Sequence, residues 1–182
     1  MTSMSTLPFG RPLTRADLEQ LPDDGHRYEL IDGSLIVSPS PRHGHQTMVG
    51  NLYVLLRAAC PVDLQVILAP FAVALADDTE MQPDLLVAPR AQFTDKELPG
   101  PPLLAVEVLS PSTRRVDLLL KRDRLQSAGV PSYWLVDPET LTVTVLELEE
   151  GTYREVAVVG SDEVVEVRRP FSVRIEPARL LD

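Results

Sequence analysis

The segment LLAVEVLS, residues 103–110, constrains the fold of this chain more than any other, because it is almost entirely apolar yet carries one carboxylate, Glu107. A continuous apolar run of this kind is typical of a strand that is covered on both faces. Burying an unpaired carboxylate costs free energy, so Glu107 would have to be protonated, paired with a cation or bound to a metal. The alternative is a position at a strand end, where the side chain bonds to local backbone groups.

The other patterns predict a mixed α/β arrangement, an α+β fold. They indicate first a short helix, with Thr14 as its N-cap and Asp17 completing a capping box, and then a hairpin that turns at Asp32-Gly33. A helix over 45–59, several strands, a helix over 110–129 and a second run of strands follow in chain order. Pro70 interrupts one apolar strand pattern, which indicates a bend, a bulge or an edge position. The order predicts one mixed sheet flanked by helices.

The length and the charge limit the classes of protein that remain. No repeat or long linker divides residues 1–182, which are therefore predicted to form a single domain, with residues 1–12 as a loose lead-in. The formal net charge of -10 argues against a protein that coats nucleic acid nonspecifically, because the phosphate backbone would be repelled on average. A local basic groove remains compatible with that charge.

The sequence also predicts a cytoplasmic protein that does not enter membranes. No apolar run is long enough to span a bilayer, and the first twenty residues lack the apolar core of a signal peptide. The single cysteine, Cys60, cannot form an internal disulfide, which favours a reducing compartment. A homodimer is plausible for a small domain that is rich in edge strands.

A second carboxylate, Asp84, is expected beside Glu107. Asp84 follows Pro83 at the start of the strand pattern DLLVA, and strands that follow each other in the chain usually pair. Two carboxylates at one end of a sheet repel each other unless positive charge lies between them. Mg²⁺ or Mn²⁺ would suit such oxygen ligands, and a shared proton or an arginine are the alternatives.

Two further charged residues complete the candidate cluster. Lys121 lies in the predicted helix that follows Glu107 and could stabilise an attacking hydroxide or the charge on phosphorus. Alternatively, Asp117 and Lys121 form an ordinary surface pair, worth a few tenths of a kcal/mol. Glu29 is a carboxylate in an apolar strand of the hairpin, and it either joins the site or occupies a solvent-facing position.

The spacing of these residues resembles a known signature. PD at 83–84 and EVL at 107–109 resemble the PD-(D/E)XK signature of restriction-endonuclease-like nucleases. The segments RYELIDGSLIVSP, QPDLLV, LLAVEVLSPSTRRVD, LKRD and AGVPSYWLVDP resemble, more specifically, the bacterial Uma-type endonuclease family, over about residues 13–145.

The resemblance implies a restriction-endonuclease-like core, to which this chain adds an N-terminal hairpin and C-terminal strands. It implies that Asp84 and Glu107 bind Mg²⁺ or Mn²⁺, with the carbonyl oxygen of Val108 as a further ligand. The wider superfamily has a catalytic lysine where this chain has Leu109, and within the Uma-type branch Lys121 is expected to take over that role.

Three residues are candidates for substrate binding. Arg114 and Arg115, at the start of the predicted helix, could grip a phosphate or simply form a solvated helix face. His45, near the start of the earlier helix, could point into the site, as the resemblance suggests. The working hypothesis is a Mg²⁺-dependent endonuclease with DNA as its substrate, and the rival is a nuclease-fold module that acts in binding or assembly with little or no catalysis.

Overall fold

A computed structural model describes residues 10–182, and their strands form three sheets. The predicted α/β class, with an added N-terminal hairpin and added C-terminal strands, is confirmed. The expectation of one sheet is wrong. The strands run, in chain order, as β1 (Arg27–Ile31), β2 (Ser34–Ser38), β3 (Leu64–Leu68), β4 (Ala72–Ala76), β5 (Thr79–Met81), β6 (Leu85–Pro89), β7 (Glu97–Pro99), β8 (Leu104–Val108), β9 (Ser132–Asp137), β10 (Thr142–Glu149), β11 (Thr152–Val159), β12 (Val165–Val167) and β13 (Val173–Ile175).

The central sheet has six strands in the spatial order β11-β10-β9-β8-β6-β3. Its strands pair antiparallel except for β8 and β9, which are parallel and are connected by a helical crossover. A second sheet has the order β2-β1-β5-β4-β7, and β12 and β13 form a two-stranded ribbon. The interruption predicted at Pro70 lies between β3, an edge strand of the central sheet, and β4 of the second sheet. The chain therefore changes sheets at this proline.

The helices of the described residues are few. They are α1 (Arg15–Leu18), α2 (His43–Ala59), a π-helical segment (Val116–Lys121) that continues into α3 (Arg122–Ser127), and the short 3₁₀ turns Arg90–Gln92 and Pro177–Leu180. The predicted helix over 110–129 is thus present, but its middle, Val116–Lys121, is π-helical rather than α-helical. Between residues 10 and 182, no helix combines the length and the apolar character that crossing a membrane requires.

The N-terminal turns form as their residues predict. Thr14 and Asp17 make the capping box of α1, with the Thr14 amide donating to a carboxylate oxygen of Asp17 at 2.8 Å. The hairpin turns at Asp32 and Gly33, both with positive φ, and a Cβ added to Gly33 would lie 2.4 Å from the Cβ of Pro12.

Residues 1–9 of the predicted lead-in lie outside the described residues. Arg11 forms an ion pair with Asp17, so the end of the lead-in is attached to the domain.

Strand β8 is buried along its whole length, as the apolar run predicts. Leu104, Val106 and Val108 face a large apolar cluster that is covered by α2. Ala105 and the following Leu109 face a second cluster, which is formed with the hairpin, α3 and β9. Because side chains alternate along a strand, Glu107 points to this second side. The central sheet is therefore covered on both faces at β8.

Candidate active site

The pairing of β6 with β8 brings the two predicted metal ligands together. Leu85 of β6 lies opposite Val106 of β8, so Asp84, one residue earlier, lies beside Glu107. The amide of Val108 donates a hydrogen bond to Oδ2 of Asp84 at 2.9 Å, which ties the carboxylate to the neighbouring strand. The predicted proximity is confirmed. Glu107 lies within β8 and pairs with a side-chain cation, so the alternative of a strand-end position with local backbone bonds is wrong.

Lys121 is the cation that accompanies Glu107. Its Nζ lies 2.8 Å from Oε1 of Glu107, 2.9 Å from Oε1 of Glu29 and 3.6 Å from Oδ1 of Asp117. Its side chain is 1% exposed, and that of Asp117 is 2% exposed. The interpretation of Asp117 and Lys121 as a surface pair is therefore wrong. The pair lies in the π-helical segment, a conformation that often occurs at functional sites.

Glu29 enters the cluster from the second sheet. It lies in β1, is fully buried, and accepts a hydrogen bond from the amide of Gln82 at 2.7 Å in addition to its contact with Lys121. The solvent-facing alternative for Glu29 is therefore wrong. Its contact with Lys121 joins the hairpin, the segment before β6 and the helix after β8 at a single ammonium group.

Two further side chains hold Asp84. Nη1 of Arg27 lies 2.9 Å from Oδ1 of Asp84, and Nε2 of His45 lies 3.1 Å from Oδ2. Nε of Arg27 lies 3.7 Å from Oε2 of Glu29. Of the three partners that the sequence left open for this carboxylate, namely a metal, a shared proton and an arginine, the structure contains the arginine. The prediction that His45 points into the site matches its position.

The cluster carries more negative than positive charge. Four carboxyl groups, from Glu29, Asp84, Glu107 and Asp117, face the guanidinium of Arg27, the ammonium group of Lys121 and the titratable His45. Oε2 of Glu29 and Oδ1 of Asp117 are buried acceptors that have no hydrogen-bond donor among the described residues. Unsatisfied buried anionic oxygens of this kind fit a further cation. Within residues 10–182, however, no three histidine, cysteine or carboxylate side chains converge in the geometry of a metal site.

The pKa of Asp84 is shifted in the opposite direction from those of Glu107 and Asp117. Burial raises the pKa of Asp84, but the hydrogen bond from His45 and the charges of His45 and Arg27 outweigh burial and lower this pKa to about 2. Burial raises the pKa of Glu107 well above its ordinary value, and it also raises the pKa of Asp117, in both cases against the opposing charge of Lys121. The surrounding carboxylates outweigh burial at Lys121 and raise its pKa, so the lysine is charged at neutral pH. Asp84 is thus the carboxylate best prepared to be an anionic ligand.

The cluster is reached from solvent through a cleft of about 1240 Å³. Arg27, His45 and Asp84 line this cleft, and the other acidic cluster residues lie behind them. Apart from the histidines, the charged residues that line it are Glu19, Asp23, Glu80, Asp84 and Glu139 against Arg27 and Arg42. The cleft is therefore open, and its lining is acidic on balance. It is neither the basic-rimmed groove expected of a nuclease nor the closed apolar patch expected of an assembly module.

The two arginines predicted to bind substrate lie away from these residues. Nη1 of Arg114 lies 2.7 Å from a carboxylate oxygen of Asp137, and Arg114 lines a separate cavity of about 190 Å³. Arg115 is exposed, and within the described part of the chain neither arginine lines the larger cleft. The structure thus brings Asp84, Glu107, Lys121, Glu29 and His45 together with the backbone of Val108, but not Arg114 or Arg115.

Sequence reasoning missed three residues at the site. Arg27 contacts Asp84, Asp117 contacts Lys121, and Ser38 lies at the cleft with a buried hydroxyl that has no hydrogen-bond partner among the described residues. One local signal was available for Arg27, since it is two residues before Glu29 and so shares its face of the strand. Nothing local marked Ser38 as different from any other strand-end serine.

One solved structure with the same fold is the crystal structure of a "putative nuclease belonging to DUF820" from Anabaena variabilis ATCC 29413. The two align with a TM-score of 0.76 and 20% sequence identity, over 93% of this chain and 98% of that one. At this identity the likeness establishes the fold alone.

The family is established by the sequence. The Uma2 family, described as "Putative restriction endonuclease", matches residues 15–179. The match spans most of the chain, so the chain belongs to this family, and the resemblance found in the sequence motifs is confirmed. A comparison with curated proteins found no match.

Proposed function

We propose that this protein is a metal-dependent endonuclease that hydrolyses phosphodiester bonds, with DNA as its substrate. The observation that supports this most strongly is the buried cluster in which three carboxylates contact Lys121 and a fourth, Asp84, lines the cleft that opens to solvent. Such an excess of buried carboxylates is costly unless another cation joins it or a carboxyl group keeps its proton. Membership of the Uma2 family supports a nuclease independently.

In their chemical type, the oxygen donors of the cluster suit a hard divalent cation. Asp84 and Glu107 would hold Mg²⁺ or Mn²⁺ together with the carbonyl oxygen of Val108, and Glu29 would assist if a second ion were bound. When bound, the cation supplies Lewis-acid stabilisation of the scissile phosphate and lowers the pKa of water. His45 already orients Asp84 through Oδ2, which keeps that carboxylate fixed for its task.

Lys121 has the position of an electrostatic stabiliser. Its ammonium group is buried and charged, and contacts to three carboxylates hold it in a fixed position. In the proposed reaction it positions the nucleophile or stabilises the charge on phosphorus. Arg115 is exposed at the start of the helical segment and is proposed to contact a phosphate farther along the DNA strand. Arg114 is already paired with Asp137.

A second candidate is a binding or assembly module of the same fold, with weak or no catalysis. The acidic balance of the cleft and the net charge of -10 favour it, because a nuclease has to attract an anionic substrate. In such a module the Lys121 cluster would be a structural ion-pair network. The two candidates differ in whether Mg²⁺ or Mn²⁺ binds and whether cleavage depends on the carboxylates.

Cleavage assays on plasmid DNA, single-stranded DNA and RNA test the proposal directly. The wild type is compared with Asp84→Ala and Glu107→Ala in the presence of Mg²⁺, Mn²⁺ or a chelator. We expect metal-dependent cleavage that falls more than about 100-fold in both variants, since loss of groups that merely orient a ligand already costs 10–100-fold. Glu139→Ala is the matched control, because Glu139 is a carboxylate at the exposed edge of the same cleft. Equal activity in all four proteins would reject the site.

The cytoplasmic location and the homodimer are further parts of the proposal. The single cysteine supports a reducing compartment. Strand β11 forms an edge of the central sheet and exposes Val156 and Val158, which supports pairing between two copies of the chain. Light scattering of the purified protein at several concentrations would distinguish a dimer from a monomer.

A further inference from the structure

Arg27 connects a carboxylate of the second sheet, Glu29, with the carboxylate that precedes β6 of the central sheet, Asp84. It extends from β1 of the second sheet, and its guanidinium lies 2.9 Å from Oδ1 of Asp84 and 3.7 Å from Oε2 of Glu29. A guanidinium is permanently charged, so it offsets carboxylates in any state of the protein. Arg27 therefore supplies part of the charge that a bound metal would supply.

The two oxygens of Asp84 differ in what holds them. Oδ2 accepts hydrogen bonds from the amide of Val108 and from His45, at 2.9 and 3.1 Å. Among the described residues, Oδ1 has a single hydrogen-bond partner, Nη1 of Arg27. If Arg27 moves away, Asp84 keeps both contacts at Oδ2 and presents Oδ1 to whatever enters from the cleft.

Arg27 is also more accessible from solvent than Lys121. Its side chain is 22% exposed and lines the cleft, whereas that of Lys121 is 1% exposed. Nε of Arg27 is buried and has no hydrogen-bond partner among the described residues, so the guanidinium is incompletely satisfied in its present position. Movement into the open cleft would let water or a substrate phosphate satisfy that group.

We propose that Arg27 is the resident cation that a divalent metal displaces from Oδ1 of Asp84, so that metal binding is a competition with this side chain. The proposal rests on the metal-dependent function proposed above and assigns Arg27 a positioning role within it. An arginine that occupies Oδ1 for roughly nine-tenths of the time weakens the apparent metal affinity about tenfold. Once displaced, the guanidinium lies in the cleft beside the metal ligands, where it can meet the anionic substrate.

Titration calorimetry with Mn²⁺ alone tests the competition without any substrate. We expect Arg27→Gln to bind Mn²⁺ about tenfold or more tightly than the wild type. Arg42→Gln is the matched control, because Arg42 lines the same cleft and its loss removes the same charge. Arg42 does not contact the carboxylates of the cluster within the described residues, so its substitution should change the affinity less than about threefold. Equal effects of the two substitutions would overturn the proposal.

Failure of this inference can be separated from failure of the proposed function. Mn²⁺ binding by the wild type that is no weaker than binding by Arg27→Gln rejects the competition and leaves the metal-dependent function standing. Absence of Mn²⁺ binding in both folded proteins rejects both. If Arg27→Gln folds poorly, thermal melting in a Mn²⁺ series replaces calorimetry, because a metal that takes over the place of Arg27 must restore the fold. Melting that Mn²⁺ leaves unchanged overturns the inference.

Discussion

The two faces of strand β8 are equally buried but very different in chemistry. Leu104, Val106 and Val108 enter an apolar cluster under α2, whereas Glu107 on the opposite face contacts Lys121. Every residue of the strand is buried, and Glu107 is 1% exposed. Burial alone therefore does not decide which residues a strand tolerates. The partner available on each face decides it.

The comparison also separates stability from function. Apolar side chains on the α2 face stabilise the fold by leaving water, at roughly 25 cal/mol per Å² of buried apolar surface. Buried ion pairs on the other face gain little net stability, because desolvation offsets most of their attraction. A buried ion-pair cluster is therefore weak evidence for a stabilising role, and the position of Asp84 at the cleft agrees with the function proposed above.

The largest effect is expected from Lys121→Met, which removes the cation from the charged face. The substitution leaves three buried carboxylates short of a partner and should lower the free energy of unfolding by about 3–5 kcal/mol, measured by urea denaturation at neutral pH. In the proposed nuclease it should also slow cleavage about 100-fold without weakening Mn²⁺ binding.

The double variant Lys121→Met/Glu107→Leu is the control for this first prediction. It removes the carboxyl group of Glu107 along with its partner, so a large part of the lost stability should return. A double variant that is no more stable than the single one would mean that Lys121 acts through packing rather than through charge.

The second effect concerns the apolar face of the same strand. Leu104→Ala should lower the free energy of unfolding by about 2–5 kcal/mol, since it leaves a cavity under α2. Leu104 does not contact the cluster within the described residues, so Mn²⁺ affinity and the cleavage rate per folded molecule should be unchanged. A variant that folds well but binds Mn²⁺ poorly would show that the two faces are coupled.

The smallest effect is a difference in pH dependence between the wild type and Glu107→Gln. Burial raises the pKa of Glu107 in the folded state above its ordinary value of 4.5. Above that value the unfolded chain releases the proton while the folded protein keeps it, so the stability that this shift contributes is lost as pH rises toward the folded-state pKa. The wild type should therefore lose stability relative to the variant by up to about 1.4 kcal/mol per pH unit in this range. Urea denaturation at a series of pH values measures the difference, and an opposite slope would mean that Lys121 outweighs burial.

The sequence by itself determined the local structure and two of the metal-ligand candidates. The capping box of Thr14 and Asp17 and the turn at Asp32-Gly33 follow from residues a few positions apart, which local rules describe well. The proximity of Asp84 and Glu107 followed from the tendency of consecutive strands to pair. Their roles as metal ligands are still a prediction.

Only the tertiary structure decided how the cluster is completed. Arg27 meets Asp84 across 57 positions of sequence and between two different sheets, and no periodicity encodes such a contact. Asp117 and Lys121 have the spacing of a common surface pair, and their burial depends on the π-helical segment and on Glu29 arriving from the hairpin. Local pattern shows which residues are unusual in their segments. The balance of buried charge is set by residues that are distant in the chain, because electrostatic attraction and desolvation depend on distances that only the folded chain defines.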